Sequence, residues 1–174
     1  MLQKYNTYKI LQLFFDYPMR PFQLREMSRL TKIGLPSVRN HIRKLEKLGF
    51  VKRKKGSVYE AYMADRNDKF TTYKRNDTLT RLYESKIIEF IADKVLPNTI
   101  VLFGSASRGE DIETSDIDLF VQAKEEEINL REFESDLKRK VNILFESDIK
   151  DIPNELMNNI INGIVIYGYL KVLK

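Results

Sequence analysis

Apolar residues in the first third of the chain recur at the spacing of buried helix faces. Tyr5 to Tyr17 carries such a stripe, and Pro18 ends the helix that it predicts. A second stripe predicts a helix over Leu24 to Leu30, with Met27 and Leu30 both on its buried side. These two helices open a small helical domain.

A turn and a third helix follow. Thr31 to Gly34 predicts the turn, in which Gly34 supplies a positive φ. The third helix begins near Pro36 and ends at Gly49, and its apolar positions, through Leu48, fall on one face. The opposite face is polar and cationic, which a helix needs if it docks on its own domain and reads the major groove of DNA. The candidate DNA-contacting residues of this helix are Ser37, Arg39, Asn40, Arg43, Lys44 and Lys47.

Two short strands and a tight turn complete this half. Phe50 to Lys54 and Ser57 to Ala64 predict a hairpin whose tip is a basic cluster suited to phosphates. The segment LPSVRNHIRKLEKLGFVKRKK resembles the recognition helix and wing of the winged helix-turn-helix family. The resemblance implies a domain over residues 1–67 that binds double-stranded DNA. The cluster at the tip consists of Lys52, Arg53, Lys54 and Lys55.

Charge divides the chain at nearly the same place. Residues 1–75 carry 18 basic and 6 acidic side chains, and residues 76–174 carry 12 basic and 19 acidic ones. This asymmetry favours two domains with different partners, of which the basic one suits a polyanion. The absence of cysteine and the single histidine, His41, exclude thiolate and histidine-cluster metal sites. No apolar run is long enough to cross a membrane, so we expect a cytoplasmic protein without a membrane partner.

The residues between the two halves predict a linker and one amphipathic helix. Asp65 to Asp77 is polar and weakly patterned, so it should hold a linker or a short helix. Thr78 to Lys94 places its apolar residues on one face, and Pro97 follows it. We interpret residues 68–97 as a linker and a helix that covers the C-terminal sheet; the alternative is that the helix pairs with its copy in a homodimer.

The second half carries the candidate chemistry in the segment GSASRGEDIETSDIDLFV. Asp116 and Asp118 alternate with apolar residues, so on a strand both carboxylates point to one face. Two adjacent carboxylates repel each other unless a cation lies between them, and Mg²⁺ prefers such oxygen ligands together with substrate phosphates. Gly104 and Ser105 offer backbone donors and a hydroxyl to the phosphates of a nucleotide, and Arg108 adds a phosphate contact.

Secondary structure around this segment alternates between short buried strands and helices. A strand precedes it, and later elements complete the domain over residues 98–174. The predicted elements are the strands Ile100 to Phe103, Val141 to Phe145 and Ile164 to Leu170, the last at an edge, and the helices Asn129 to Lys138 and Ile152 to Asn162.

The run IVLFGSASRGEDIETSDIDLFV resembles the signature of the minimal nucleotidyltransferases, small members of the polymerase-β superfamily. The resemblance implies a two-domain protein, in which a mostly helical winged helix-turn-helix domain with a β-hairpin wing precedes an α/β nucleotidyltransferase fold with a small mixed sheet. It also implies an NTP substrate and Mg²⁺ bound by Asp116 and Asp118, with Ser105 on the phosphates. Related proteins are antitoxins that modify a partner toxin, so a toxin or another protein is an expected acceptor.

One position departs from that family. The family places a third carboxylate on a later strand, and alignment on Arg139-Lys140-Val141 puts Asn142 there. Asparagine can offer a carbonyl oxygen to Mg²⁺ but cannot act as a general base. Glu146 lies roughly 13 Å farther along the strand, which is too far to replace it. Asn142 is therefore a doubtful third catalytic residue.

Three functions stay open at this point. The first is a Mg²⁺-dependent enzyme that transfers a nucleoside monophosphate from an NTP to an acceptor, coupled to a DNA-binding domain. The second is a transcription regulator whose degenerate C-terminal domain senses nucleotide or acts as a scaffold. The third is an RNA-directed enzyme. Because winged helices often bind two-fold sites as dimers, we also expect a homodimer.

Overall fold

The first three helices of the chain lie close to their predicted positions. The structure, a computed structural model, describes residues 5–56 and 59–171, and it divides the chain into two units, residues 1–74 and 75–174. Helices α1 (Asn6–Asp16), α2 (Leu24–Thr31) and α3 (Leu35–Lys47) pack in the first unit around fully buried Phe14, Met27 and Ile42. Apolar residues at helical spacing therefore predicted these helices correctly.

The turn between α2 and α3 corrects one prediction. The residue with positive φ is Lys32 (φ 57°), and Gly34 has φ −57°. The left-handed residue must come directly after the last helical residue, Thr31, and that position falls two residues before the glycine. Gly34 instead caps α3, where its carbonyl oxygen accepts the first helical hydrogen bond from the Val38 amide at 3.0 Å.

Three short strands complete the first unit. Strands β1 (Phe22–Gln23), β2 (Val51–Arg53) and β3 (Ala61–Ala64) form an antiparallel sheet in the order β1-β3-β2. The hairpin of β2 and β3 was predicted, although both strands are shorter than expected, and β1 was not predicted. The predicted start of the second strand, at Ser57 and Val58, lies outside the described residues.

Residues 68–95 form two helices, where a linker or a short helix followed by one amphipathic helix was expected. Helix α4 spans Asp68–Glu84, and helix α5 spans Ile87–Val95. The Asn67 side chain accepts a hydrogen bond from the Phe70 amide at 3.0 Å, so it caps α4 and allows the polar stretch to be helical. Lys86, with φ 62°, takes a left-handed conformation and separates the two helices.

The second unit is an α/β fold with a four-stranded mixed sheet in the order β6-β5-β4-β7. Strand β4 pairs antiparallel with β5 and β7, and β5 pairs parallel with β6. The elements that follow α5 are β4 (Thr99–Phe103), α6 (Gly104–Arg108), β5 (Ile117–Val121), α7 (Arg131–Leu137), β6 (Val141–Phe145), a 3-10 helix (Ile149–Asp151), α8 (Asn154–Ile161) and β7 (Ile164–Gly168).

Both faces of this sheet are covered. Leu119 on β5 packs in a core that includes Ile91 of α5, and its neighbour Phe120 packs in a second core with Ile160 of α8. Both β5 residues are fully buried. Since successive strand residues alternate between faces, Asp118 shares the face of Phe120. Among the described residues no helix is long and apolar enough to cross a membrane.

Two leucines that were predicted to be buried are partly exposed. Leu30, in the last turn of α2, is 48% exposed, and Leu48, directly after α3, is 43% exposed. Both lie where a helix ends and the chain turns away from the core, so helical spacing assigned them to the buried face incorrectly.

We expect Met27→Ala to destabilise the first unit by about 2–5 kcal/mol, because it leaves a cavity in a fully buried core. Leu30→Ala, a matched deletion on the same helix, should cost about 0.5 kcal/mol or less, because the leucine is largely exposed. Urea unfolding followed by circular dichroism measures both. Equal losses in the two variants would contradict the burial described here.

Candidate active site

The turn between β4 and α6 brings the backbone against a carboxylate. Gly104 has φ 71°, and a Cβ atom on it would lie 2.5 Å from Asp118 Oδ2. Glycine is therefore required for two reasons, because a side chain would be strained at this φ and would collide with the carboxylate. Half-buried Ser105 follows in the first turn of α6, where the sequence predicted a helical turn, and its contact with phosphates stays a prediction.

Asp116 and Asp118 flank the first residue of β5, and both are half-buried. Asp118 pairs with Phe103 of β4 on one side and with Asn142 of β6 on the other. Ile117 points to the opposite face and is buried in the core there. The period-two pattern predicted this arrangement, in which two carboxylates share one face at the end of a central strand.

Asn142 lies beside both carboxylates. Its Nδ2 donates to Asp116 Oδ2 at 3.0 Å and extends to Asp118 Oδ1 at 3.4 Å. Ionised carboxylates only accept hydrogen bonds, so the amide nitrogen must face them rather than the amide oxygen. The neutral asparagine thus bridges two like charges at the position where the family resemblance implies a third carboxylate.

The electrostatic environment of the pair favours neutralisation of charge. Burial raises the pKa of Asp118 above its usual range, the hydrogen bond from Asn142 lowers it, and the neighbouring charge of Asp116 raises it again. A carboxylate that is partly desolvated beside a second one gains from any cation that binds between them. The pair therefore favours a positively charged ligand.

The residues at the site fit a magnesium ion that shares its ligands with a substrate. Asp116 and Asp118 offer carboxylate oxygens on one face, and rotation of the Asn142 amide would add a carbonyl oxygen. Over the described ranges, no group of three or more His, Cys, Asp or Glu side chains gathers to form a metal cage. Mg²⁺ is commonly bound by one or two carboxylates and completed by phosphates and water, so this donor set suits it.

Arg108 is placed differently from the rest of the predicted phosphate site. Its Nε donates to Glu110 Oε2 at 2.7 Å, and both side chains are about half-exposed. A phosphate contact would compete with this ion pair. Sequence reasoning also missed Ser115, whose Oγ accepts from the Ile112 amide at 2.9 Å and shapes the loop that leads into Asp116.

Comparison with known proteins finds a family match within the second unit. Residues 85–170 match the family described as Polymerase beta, Nucleotidyltransferase. The match spans the whole sheet and includes the carboxylate pair and Asn142, so it supports the nucleotidyltransferase part of the resemblance. It does not extend into the first unit, and no curated protein matches the chain.

The first unit presents a separate cationic surface on α3. The exposed residues among the candidates are Arg39, Asn40, Arg43, Lys44 and Lys47, and Ser37 is half-buried. No ion pair joins these four cations to another described residue. His41, on the same helix, lies with Nδ1 2.8 Å from Thr7 Oγ1 and so holds α3 against α1.

Internal ion pairs engage half of the predicted hairpin-tip cluster. Lys52 pairs with Asp65 at 3.0 Å, and Arg53 pairs with Glu46 at 3.2 Å and with Glu60. Lys54 and Lys55 are exposed, and within the described part of the chain neither forms an ion pair. The four cations of the tip therefore differ in their availability to an external anion.

Removal of the Asn142 amide should raise the pKa of Asp118 further. Asn142→Ala deletes the hydrogen bond that stabilises the charged carboxylate, while burial and the Asp116 charge persist. Titration of the Asp118 carboxyl carbon by NMR, in protein stripped of metal with a chelator, measures the shift. Asn159→Ala, an exposed asparagine on α8, is the control.

The raised pKa of Asp118 determines how the free energy of unfolding changes with pH. Because the folded pKa of Asp118 exceeds the unfolded value, the native state binds this proton more tightly. The free energy of unfolding should fall as pH rises between the two values, and it should fall more in Asn142→Ala. An unchanged or lower pKa in the variant would show that the amide does not stabilise the ionised pair.

Proposed function

We propose that the second unit transfers a nucleoside monophosphate from an NTP to an acceptor hydroxyl, with Mg²⁺, and that the first unit binds double-stranded DNA as a winged helix-turn-helix domain. The observation that carries the enzymatic part is the pairing of Asp116 and Asp118 on one strand face, with Asp118 beside Gly104 and Asn142 bonded to both carboxylates. The family match to residues 85–170 supports the same class of reaction.

Each residue of the site has a distinct task in this reaction. The amides of the Gly104-Ser105 turn and the Ser105 hydroxyl bind the triphosphate, and the absence of a side chain on Gly104 leaves room for the Asp118 carboxylate beside that turn. Asp116 and Asp118 hold Mg²⁺, which when bound neutralises phosphate charge and polarises the α-phosphate. Without the cation, the two carboxylates would repel the nucleotide.

The transfer itself exchanges one phosphorus–oxygen bond for another. The acceptor oxygen forms a bond to the α-phosphorus of the NTP, and the bond from that phosphorus to the bridging oxygen of the β-phosphate breaks. Pyrophosphate leaves with the electron pair. The hydroxyl proton passes to water, because Asn142 has no basic atom to receive it. Positioning and electrostatic stabilisation would therefore supply most of the rate enhancement.

Asp116→Asn should reduce transfer by about a thousandfold or more, because loss of a metal ligand removes several kcal/mol of charge stabilisation in the transition state. The assay combines purified protein, Mg²⁺ and each of the four NTPs labelled at the α-phosphate, with host lysate as the source of acceptors. Asp93→Asn, which changes an exposed acid of α5, is the matched control. Transfer that survives in Asp116→Asn would contradict the assignment.

A second candidate function follows from Asn142. An amide that already bridges Asp116 and Asp118 stabilises the site without a metal and provides no base. The second unit would then bind Mg-NTP and alter the DNA affinity of the first, as a sensor with a finite coupling free energy. Binding of Mg-NTP without label on any macromolecule would favour this candidate over the enzyme.

Charge and exposure support DNA binding by the first unit. Helix α3 presents four exposed cations and Asn40, and arginine, lysine and asparagine side chains contact both base edges and phosphates. Lys54 and Lys55 at the hairpin tip are exposed as well and suit phosphates of the same duplex. A homodimer on a two-fold operator would be consistent with this mode of binding.

We expect Arg43→Gln to weaken binding to duplex DNA by several-fold and to reduce the slope of log affinity against log salt by about 0.9, the loss of one phosphate contact. Arg53→Gln removes the same charge from the same unit but should have the smaller effect, because Glu46 and Glu60 already pair with Arg53. Fluorescence anisotropy over a salt series measures both. Identical effects would indicate that only net charge matters and that α3 has no special role.

A further inference from the structure

The last strand of the second unit lies in a stretch of sequence without charge. Residues 156–170 contain no Asp, Glu, Lys or Arg, although charged residues make up 32% of the chain. The stretch includes most of α8 and all of β7, and β7 is an edge strand because the sheet order is β6-β5-β4-β7. Proteins commonly protect an edge strand with lysine, proline or another charged residue. None of these lies in β7, so its exposed side chains lack the usual protection against association.

Large apolar and aromatic side chains are exposed along this edge. The Tyr83 hydroxyl donates to the Ile166 carbonyl oxygen at 3.1 Å, so this tyrosine of α4 lies against β7. The Ile166 side chain is buried in the core, but its neighbours along the chain are exposed. Together they form what we call the β7 surface, which consists of Tyr83, Ile161, Val165, Tyr167 and Tyr169.

The amphipathic helix that could have paired with its copy is not available to a partner. Ile87, Ile88 and Ile91 of α5 are buried in the same core as Ile100 and Leu119 of the sheet. The apolar face of this helix is therefore covered within the second unit. An apolar contact between two second units must use other residues, and the β7 surface supplies them.

Charge favours a second copy of the chain as the partner. Residues 75–174 carry 13 basic and 19 acidic side chains, so two second units repel each other over most of their surfaces. The β7 surface brings no like charges together, because all five of its side chains are neutral. A two-fold contact between identical patches also closes on itself, so it yields a dimer rather than a filament.

The exposed area is close to what a specific interface needs. A tyrosine side chain buries about 200 Å² when it is fully covered, so the three tyrosines, at 48%, 40% and 74% exposure, offer roughly 300 Å² per copy. Ile161 and Val165 raise this to roughly 400 Å², or about 800 Å² in a two-fold contact. Specific interfaces begin at about 1,000 Å² in total, and the flanking backbone must supply the remainder. We therefore expect a dimer with a dissociation constant in the micromolar range.

We propose that the β7 surface joins two copies of the chain in a homodimer through the packing of these side chains. The edge is irregular where Tyr83 bonds to Ile166, and the pairing of β7 with β4 shifts register between Ile100 and Val101. Such interruptions work against a continuous ladder from β7 to its copy, so side-chain packing holds the contact. A dimer carries two first units, as a two-fold DNA site requires. The contact itself needs neither nucleotidyl transfer nor DNA binding.

Sedimentation equilibrium of the full-length protein over about 1–300 μM measures the association. We expect the dissociation constant to rise about a hundredfold or more in the double variant Val165→Lys, Tyr167→Lys, because each ammonium group would be buried without a partner. The control variant, Leu30→Lys with Leu96→Lys, adds the same charge at exposed apolar residues outside the β7 surface. It should keep the wild-type constant.

A crosslink measures the same contact without disrupting it. The chain has no cysteine, so Val165→Cys introduces a single thiol, and cysteine keeps a small apolar side chain at this position. With a short bismaleimide, this variant should form covalent dimer about tenfold faster than Glu132→Cys does at the same protein concentration, because association raises the effective concentration of the second thiol. Glu132 is an exposed residue of α7 and serves as the control position.

The two measurements decide the proposal together. Loss of the dimer in the Val165→Lys, Tyr167→Lys variant alone, with fast crosslinking at position 165, would support it. A monomer over the whole concentration range, a dimer of equal strength in both lysine variants, or equal crosslinking at positions 165 and 132 would overturn it. If circular dichroism shows that the lysine variant is unfolded, the crosslink decides. Neither measurement uses an NTP or DNA, so the proposed function stands or fails separately.

Discussion

Repulsion between Asp116 and Asp118 is the constraint on which the rest of the second unit depends. Two carboxylates on one strand face, partly buried, would destabilise the sheet unless neighbouring groups compensated them. The Asn142 amide compensates them from the β6 side by donating to both, while Gly104 on the β4 side leaves room for the Asp118 carboxylate. The antiparallel β4–β5 and parallel β5–β6 pairings are what bring these two residues to Asp118.

The parallel β5–β6 pair also explains why basic residues lie beside the two aspartates. Two parallel strands begin at the same end of the sheet, so the chain must cross back to that end between them. Helix α7 lies in this crossover. The connection from α7 to β6, Lys138 to Lys140, therefore lies at the end of the sheet where Asp116 leads into β5. The topology thus places basic residues beside the two aspartates.

Local sequence patterns predicted the features of this structure that depend on residues close together in the sequence. Alternation placed both aspartates on one face, and helical spacing gave α1 to α3 nearly to the residue. Contacts between distant residues were not predictable in the same way: the Asn142 hydrogen bonds depend on strand register, and the pairing of Arg53 with Glu46 depends on how the hairpin packs on α3. Lys32 shows a third limit, since a positive φ was expected at Gly34 and occurs at Lys32, where α2 ends.

Asn142 has opposite consequences for stability and for catalysis. As a neutral donor it stabilises the ionised pair without a metal, so the free protein can keep its site assembled. A cation that binds between the carboxylates must displace those hydrogen bonds or turn the amide, and its binding free energy is reduced by that cost. A nucleotide that delivers the cation together with its own phosphates overcomes this cost more readily than the free ion does. If the proposed function holds, the site would respond to Mg-NTP as a unit, either by transfer or by a change in DNA binding.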